Sequence, residues 1–222
     1  PKFMTAGPSS PTRLAMAMTG KRTSANWQGT DAELMDFYDL KGVLEQLFAA
    51  LHVDVTYEAG EHESYRPGRA AKMMIGKQQI GVMGELHPLR VEAYGLRLER
   101  GQAVLAADVD LTAVIAHIPS HYPFEAVSSY PAVHEDVAFV VDAAIPAAEV
   151  EAAIQQAGGF LLKEVELFDM YEGDQIGAGK KSLAYHLTFL APNKTLTDKA
   201  VKKQRTRIVK TLENKLGAKL RD

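Results

Sequence analysis

In residues 137–221, segments with the hydrophobic pattern of a strand and segments with that of a helix follow one another in an order that permits few folds. Alternating or continuous apolar runs predict strands, and apolar residues at i, i+3, i+4 and i+7 predict helices. The predicted elements, in chain order, are a strand at 137–141, a helix at 147–157, strands at 161–171 and 182–189, a helix at 198–216 and a short strand at 218–221. This β-α-β-β-α-β order predicts an α+β, ferredoxin-like fold in which two helices cover one face of a four-stranded antiparallel sheet. The other face of the sheet is expected to be open to a ligand.

The strand at 182–189 alternates more regularly than the other two long strands. Its odd positions from 183 to 189 are large and apolar, whereas Ser182, Ala184, His186 and Thr188 are small or polar. Because successive side chains of a strand point to opposite faces, the small and polar set is expected on the open face.

The helix predicted at 198–216 is amphipathic and strongly basic. Thr197 is a favourable N-cap and Gly217 a favourable terminator. At 100° per residue, the apolar positions 201, 208 and 212 lie within about 40° of one another. Lys199, Lys203 and Lys210 fall on the opposite side, so they are expected to face solvent.

Charge is distributed unevenly along the chain. The formal net charge of all 222 residues is −3, but residues 194–222 alone carry +7 and the remainder −10. A cationic end on an acidic body favours a polyanionic partner such as a nucleic acid. A solvated helix face with no partner is the alternative that charge alone leaves open. Tyr171 and Asp169, near the end of the strand at 161–171, could respectively stack on an unpaired base and accept hydrogen bonds from its edge.

Residues 1–125 show a weaker pattern. The first 30 residues have little periodicity, and the chain opens at Pro1, as expected of a fragment. A helix is predicted from Asp39, followed by short strands at 72–75, 79–83 and 103–109 and a short helix at 111–117. Residues 117–129 read as a linker, with a boundary near residue 126. We therefore expect two domains, residues 1–125 and 126–222.

Several classes of site are disfavoured by composition and spacing. The chain contains no cysteine, and its seven histidines lack compact metal-ligand spacing. It has no Gly-x-Ser-x-Gly motif, phosphate loop or dinucleotide fingerprint. No run approaches the roughly 20 apolar residues needed to cross a bilayer. We expect no catalytic residue, no metal, no membrane and a cytoplasmic location.

Both halves of the chain contain short strings that are more specific than their hydrophobic periods. In the first half they are DFYDLKG at 36–42, RPGRA at 66–70 and IGVMGELHP at 80–88. In the second they are YPAV at 130–133, EDVA at 135–138, ELFDMY at 166–171, GKKSLA at 179–184 and TLTD at 195–198. Together these strings resemble the β chain of bacterial phenylalanine–tRNA ligase, and the second set resembles that family's ferredoxin-fold anticodon-binding domain.

This resemblance implies a subunit of an (αβ)₂ class II synthetase whose α chain activates phenylalanine with ATP and Mg²⁺. The first domain would be the C-terminal part of an inactive catalytic-like domain built on an antiparallel sheet. Residues 104–110, VLAADVD, support inactivity because they lack the glycines and the ATP-binding arginine of a working class II strand. The fragment itself would need no cofactor.

The same resemblance implies a binding site for phenylalanine tRNA. Tyr171 would stack on an anticodon base, with Asp169, Ser182 and Arg221 as polar neighbours, and Lys199, Lys203 and Lys210 would attract phosphates. Arg66 stands where relatives usually have histidine, and Lys199-Ala200 replaces a common acidic pair. Two alternatives remain: a fragment that mainly packs against the α chain, and a self-sufficient adenylating enzyme.

Overall fold

The structure is a computed structural model that describes residues 11–23, 27, 33–122 and 128–221. The chain divides into two compact units, residues 1–124 and 125–222. The predicted boundary near residue 126 lies outside the described residues. Each unit has its own sheet and its own hydrophobic core.

The first unit is built on a five-stranded antiparallel sheet with strand order β1-β5-β4-β3-β2. Its elements are β1 (Arg13–Met18), α1 (Phe37–Ala50), β2 (Thr56–Ala59), β3 (Tyr65–Ile75), β4 (Gln78–Leu86), α2 (Pro88–Ala93), β5 (Leu105–Asp110) and α3 (Leu111–Ala116). The expected helix and the three expected strands are present. The expectation of little periodicity at the start was wrong for β1, whose residues alternate in exposure along the edge of the sheet.

A capping box starts α1. The side chain of Asp36 accepts hydrogen bonds from the backbone of Tyr38 and Asp39, and Asp39 accepts one from the backbone of Asp36 at 2.6 Å. These bonds satisfy N–H groups that have no partner within the helix. Beyond the cap, Leu40, Leu44 and Phe48 lie one turn apart and are buried in the core of this unit.

The second unit is a ferredoxin-like sandwich, as predicted. Its strand order β7-β8-β6-β9 is antiparallel throughout. Its elements are β6 (Val133–Asp142), α4 (Ala147–Gly158), a 3₁₀ turn (Gly159–Leu161), β7 (Leu162–Tyr171), a second 3₁₀ turn (Asp174–Ile176), β8 (Lys180–Phe189), α5 (Asp198–Leu216) and β9 (Lys219–Arg221). The α+β fold class is confirmed.

Both helices of this unit pack on the same face of the sheet. Phe139 and Tyr185 point inward from β6 and β8 and are fully buried with Ile154 of α4 and Ile208 of α5. Burying each such side chain stabilises the fold by about 1.5–3 kcal/mol. The Tyr185 hydroxyl donates to the carbonyl of Ala147 at 3.3 Å, which joins β8 to the start of α4.

Thr197 and Gly217 delimit α5 as predicted. The hydroxyl of Thr197 accepts from the backbone of Ala200, and Gly217 adopts a left-handed conformation with φ of 60°. That conformation costs glycine little because it has no Cβ. The chain then turns directly into β9, which brings Arg221 beside β6.

Candidate nucleic-acid interface

The sheet register gathers four predicted site residues on the face that carries no helix. They lie in two rows that run across the sheet. In the strand order β7, β8, β6 and β9, one row is Tyr171, Ser182, Val140 and Lys219, and the other is Asp169, Ala184, Ala138 and Arg221. Neighbouring strands lie about 4.8 Å apart, and alternate residues of one strand about 7 Å. Asp169, Tyr171, Ser182 and Arg221 therefore border one small patch.

Tyr171 is held by two neighbours. The guanidinium carbon of Arg221 lies 5.4 Å from the centre of its ring, within cation–π range. A Cβ built on Gly173 would come within 2.4 Å of the tyrosine hydroxyl, so the end of the side chain lies against the Gly173 backbone. The ring is therefore positioned before any ligand arrives.

Ser182 is less accessible than the sequence suggested. It lies on the helix-free face in register, but only 3% of the residue is exposed. Ala184, His186 and Thr188 on the same face are partly buried. The expectation of a uniformly open strand face was therefore wrong at Ser182, because adjacent strands bring larger neighbours, including Tyr171, around a small side chain. Ser182 forms the floor of the patch.

The three predicted lysines occupy the other layer of the sandwich. Val201, Ile208 and Leu212 turn one side of α5 into the core, whereas Lys199, Lys203 and Lys210 are exposed on the opposite side. Because α5 covers the other face of the sheet, these lysines point away from Tyr171. The lysines are exposed to solvent as expected, and the sheet and the helix separate them from the helix-free face.

Phe168 lies on the helix-free face together with Asp169, its neighbour in the chain. A register shift between Leu167 and Asp169 leaves Phe168 without a partner in β8. Its ring stacks on His186 with centroids 3.8 Å apart and an interplanar angle of 13°. Such a bulge re-aims one side chain, which a simple period of two cannot reveal.

A carboxylate orients the histidine of this pair. His186 Nδ1 lies 2.5 Å from Asp136 Oδ1, and because a carboxylate only accepts, this nitrogen donates. Asp136 pairs with His186 in the register of β6 and β8, and Glu166 pairs with it from β7. We name Phe168, His186 and Asp136 the aromatic pair with its carboxylate.

Two ion pairs between strands lie in the first unit. Arg66 donates to Glu85 at 2.9 Å, at the edge of a cavity of about 560 Å³ that is also lined by Leu96, Arg97 and Val104. In β5, Asp108 is bound by Arg13 at 2.7 Å. The hydrogen bond that Arg13 donates to Asp108 raises the pKa of this arginine above its ordinary value. These two ion pairs are partly exposed, so each stabilises the unit modestly.

Two further findings concern metal and membrane. In the part of the chain that the structure describes, no three histidine or acidic side chains are grouped so that they could hold a metal ion. Among the described helices, none is long and apolar enough to cross a membrane.

The βαββαβ sandwich with one helix-free face belongs to the ferredoxin-like class of domains. Residues 128–221 match the family model described as the ferredoxin-fold anticodon binding domain, and residues 2–111 match the model described as the phenylalanyl tRNA synthetase beta chain CLM domain. The chain belongs to the family of phenylalanine–tRNA ligase β subunits.

Relatives from several bacteria support this assignment. The chain is 37% identical over 210 residues to the phenylalanine–tRNA ligase β subunit of Halalkalibacterium halodurans, covering 94% of this chain and 25% of the relative. It is 38% identical over 215 residues to that of Symbiobacterium thermophilum, covering 96% of this chain and 23% of the relative. It is 38% identical over 209 residues to that of Streptococcus pyogenes, covering 94% of this chain and 25% of the relative. The chain thus spans about a quarter of the length of these relatives.

Proposed function

We propose that this chain is the part of a phenylalanine–tRNA ligase β subunit that binds the anticodon loop of phenylalanine tRNA. The observation that carries this proposal is the register of β7, β8, β6 and β9, which brings Asp169, Tyr171, Ser182 and Arg221 to one patch of the helix-free sheet face. Sequence-specific recognition of RNA favours unpaired loops whose bases can be splayed onto such a surface.

Each residue of the patch has a distinct role in the proposed complex. The Tyr171 ring stacks on one unpaired base, and Arg221, already beside that ring, supplies positive charge to the base or its phosphate. Asp169 is exposed and accepts hydrogen bonds from the N–H groups of a base edge. Ser182 is too buried for a broad contact and closes the patch from below.

The three lysines of α5 are proposed to contact phosphates of the same tRNA outside the loop bound at Tyr171. They lie on the helix side of the sandwich, so one base cannot contact both surfaces. Lysines that neutralise phosphates give salt-dependent affinity without sequence selection.

Aminoacylation is proposed to take place on another chain. In the complete (αβ)₂ ligase, located in the cytoplasm, the α chain would bind ATP and Mg²⁺ and activate phenylalanine. The sequence of β5, LAADVD, supports this because it contains neither the glycines nor the arginine expected of an ATP-binding strand of this class. This chain would bind tRNA and support the α chain.

A mainly structural role is the second candidate. Leu89 in α2, and Tyr94 and Leu96 just after its end, are 67%, 75% and 47% exposed. Exposed apolar side chains grouped in this way are typical of protein contacts, so the first unit is suited to packing against the α chain.

Tyr171→Ala in the full-length β chain, assembled with the α chain, tests the binding proposal. Stacking on an aromatic ring is worth about 1–3 kcal/mol per base, so tRNA affinity and charging should fall while ATP-dependent phenylalanine activation stays unchanged. Tyr171→Phe keeps the ring and should behave almost as the unaltered enzyme does. Unchanged tRNA binding in Tyr171→Ala would eliminate the stacking role and leave the structural one.

A further inference from the structure

We propose that Phe168, backed by His186, is a second stacking platform on the helix-free face, and that it takes a nucleobase adjoining the one at Tyr171. This inference rests on the proposed anticodon-loop binding and extends it to Phe168 and His186. It follows from the bulge in β7, the ring stack and the charges around it.

The bulge in β7 puts Phe168 on the same sheet face as Asp169 and Tyr171. Phe168 is 48% exposed although it is large and apolar, and His186 covers one of its two faces. Leaving such a ring half in solvent forgoes much of the free energy gained on burial. The outer face of Phe168 is therefore available to a planar group.

The backing histidine is fixed in orientation. Its Nδ1 donates to Asp136 at 2.5 Å, and the two rings are nearly parallel. A ring that is already positioned loses less entropy when a ligand stacks on it. The aromatic pair with its carboxylate is thus prepared for a flat ligand.

The position of the pair suits a neighbouring nucleotide of the same strand. His186 lies two residues beyond Ala184, whose row contains Asp169 and Arg221. Two residues of a strand span about 7 Å, so the second platform directly continues the first patch. In one class of RNA-binding domain built on a four-stranded sheet, aromatic side chains stack two or three bases of one strand.

The local charge selects the part of the nucleotide that is bound. Asp136 and Glu166 flank His186 from the two neighbouring strands, and both are exposed. These carboxylates repel phosphate, whereas they accept hydrogen bonds from the N–H groups of bases. The occupant is therefore a base lying on Phe168, with its phosphate directed away from the sheet.

The test measures binding of the anticodon stem-loop RNA of phenylalanine tRNA to the full-length, assembled ligase. Phe168→Leu keeps an apolar contact with His186 but removes the aromatic face, and Phe168→Tyr retains that face. We expect Phe168→Leu to weaken binding about 5- to 150-fold and Phe168→Tyr to change it less than about twofold. Phe160→Leu is the matched control, because this phenylalanine is 76% exposed in a 3₁₀ turn of the same unit.

The same variants are then measured with 2-aminopurine at each unpaired loop position in turn. The platform predicts that Phe168→Leu changes the fluorescence at one position and Tyr171→Ala at a neighbouring one. If Phe168→Leu and Phe168→Tyr both bind as the unaltered ligase does, the second platform is refuted. Weakening by Tyr171→Ala in that experiment would leave the proposed function intact, whereas no effect of either residue would refute both.

Discussion

Replacing the three α5 lysines together tests whether the two layers of the sandwich act separately on RNA. The variant is Lys199→Gln, Lys203→Gln and Lys210→Gln. Glutamine and lysine have similar helix propensities, so α5 should keep its stability. The variant with arginine at all three positions keeps the charge and serves as the control.

The distance between the layers of the sandwich sets how much the three lysines contribute to the binding free energy of a ligand at Tyr171. Layers pack about 10 Å apart and a helix with side chains is about 10–12 Å across, so each ammonium group lies at least about 15 Å from the helix-free face. Two unit charges at that distance interact by about 0.3 kcal/mol in water, and screening at 0.15 M salt reduces this roughly sevenfold. Three lysines thus contribute about 0.1 kcal/mol to a ligand at Tyr171. Affinity should change less than about 1.3-fold.

Two RNAs separate the possible outcomes. With the isolated anticodon stem-loop, the glutamine variant should bind as the unaltered ligase does. With full-length tRNA, loss of three phosphate contacts should make the slope of log K against log salt shallower by about 2 to 3. If the stem-loop loses as much affinity and salt dependence as the tRNA, the two surfaces share one ligand and the reasoning from layer separation is refuted. An unchanged slope with full-length tRNA would instead remove the lysines from the interface.

Three further predictions concern positions with a direct physical rationale. Gly173→Ala should push the Tyr171 ring out of place and weaken tRNA binding, because the new Cβ would come within 2.4 Å of the tyrosine hydroxyl. In a binding assay, adding Tyr171→Phe to this variant should restore part of the lost affinity. A double variant that binds as weakly as Gly173→Ala would contradict the contact. Ile208→Ala should lower the free energy of unfolding of the second unit by about 2–5 kcal/mol, which would appear as faster hydrogen exchange across that unit. Lys210→Ala, two residues away on the exposed side of α5, should change this free energy by less than about 0.5 kcal/mol. Equal effects of the two substitutions would contradict the assigned core. Asp39 accepts hydrogen bonds from the backbone N–H of Asp36 and from the Arg22 side chain, and these bonds, the first most of all, hold the pKa of Asp39 below its ordinary value of 3.8. The resulting stabilisation of α1 is fully present above pH 3.8 and is lost as the pH falls through the lowered pKa. Protection of the α1 amides from hydrogen exchange, corrected for the intrinsic exchange rate, should therefore decline over that pH range. The Asp39→Asn variant should show no such decline.

Local sequence patterns were sufficient to predict most of the helices and strands of the second unit. The bounds of α5 agree with Thr197, Gly217 and the apolar spacing of positions 201, 208 and 212, because caps and helical periodicity act within a few residues. The alternation in 183–189 likewise identified the buried side of β8.

The first strand shows where local patterns fail. In β1 the exposed positions include Ala15 and Ala17, whose small apolar side chains blur the contrast with Leu14 and Met16. The segment becomes a strand because β5 provides a hydrogen-bonding edge almost a hundred residues away. No local period contains that information.

The arrangement of the site depended on the same kind of long-range pairing. Sequence patterns and family strings identified Tyr171, Asp169, Ser182 and Arg221 individually, and they identified the solvent-facing side of α5. Only the register of four strands brought the first four together, buried Ser182 and put Phe168 on the same face through a bulge. The packing of α5 on the opposite face separated the lysines from them. Caps and periods arise from interactions within a few turns, whereas the partners of a strand and the face that a helix covers depend on contacts between distant segments, which the tertiary structure alone determines.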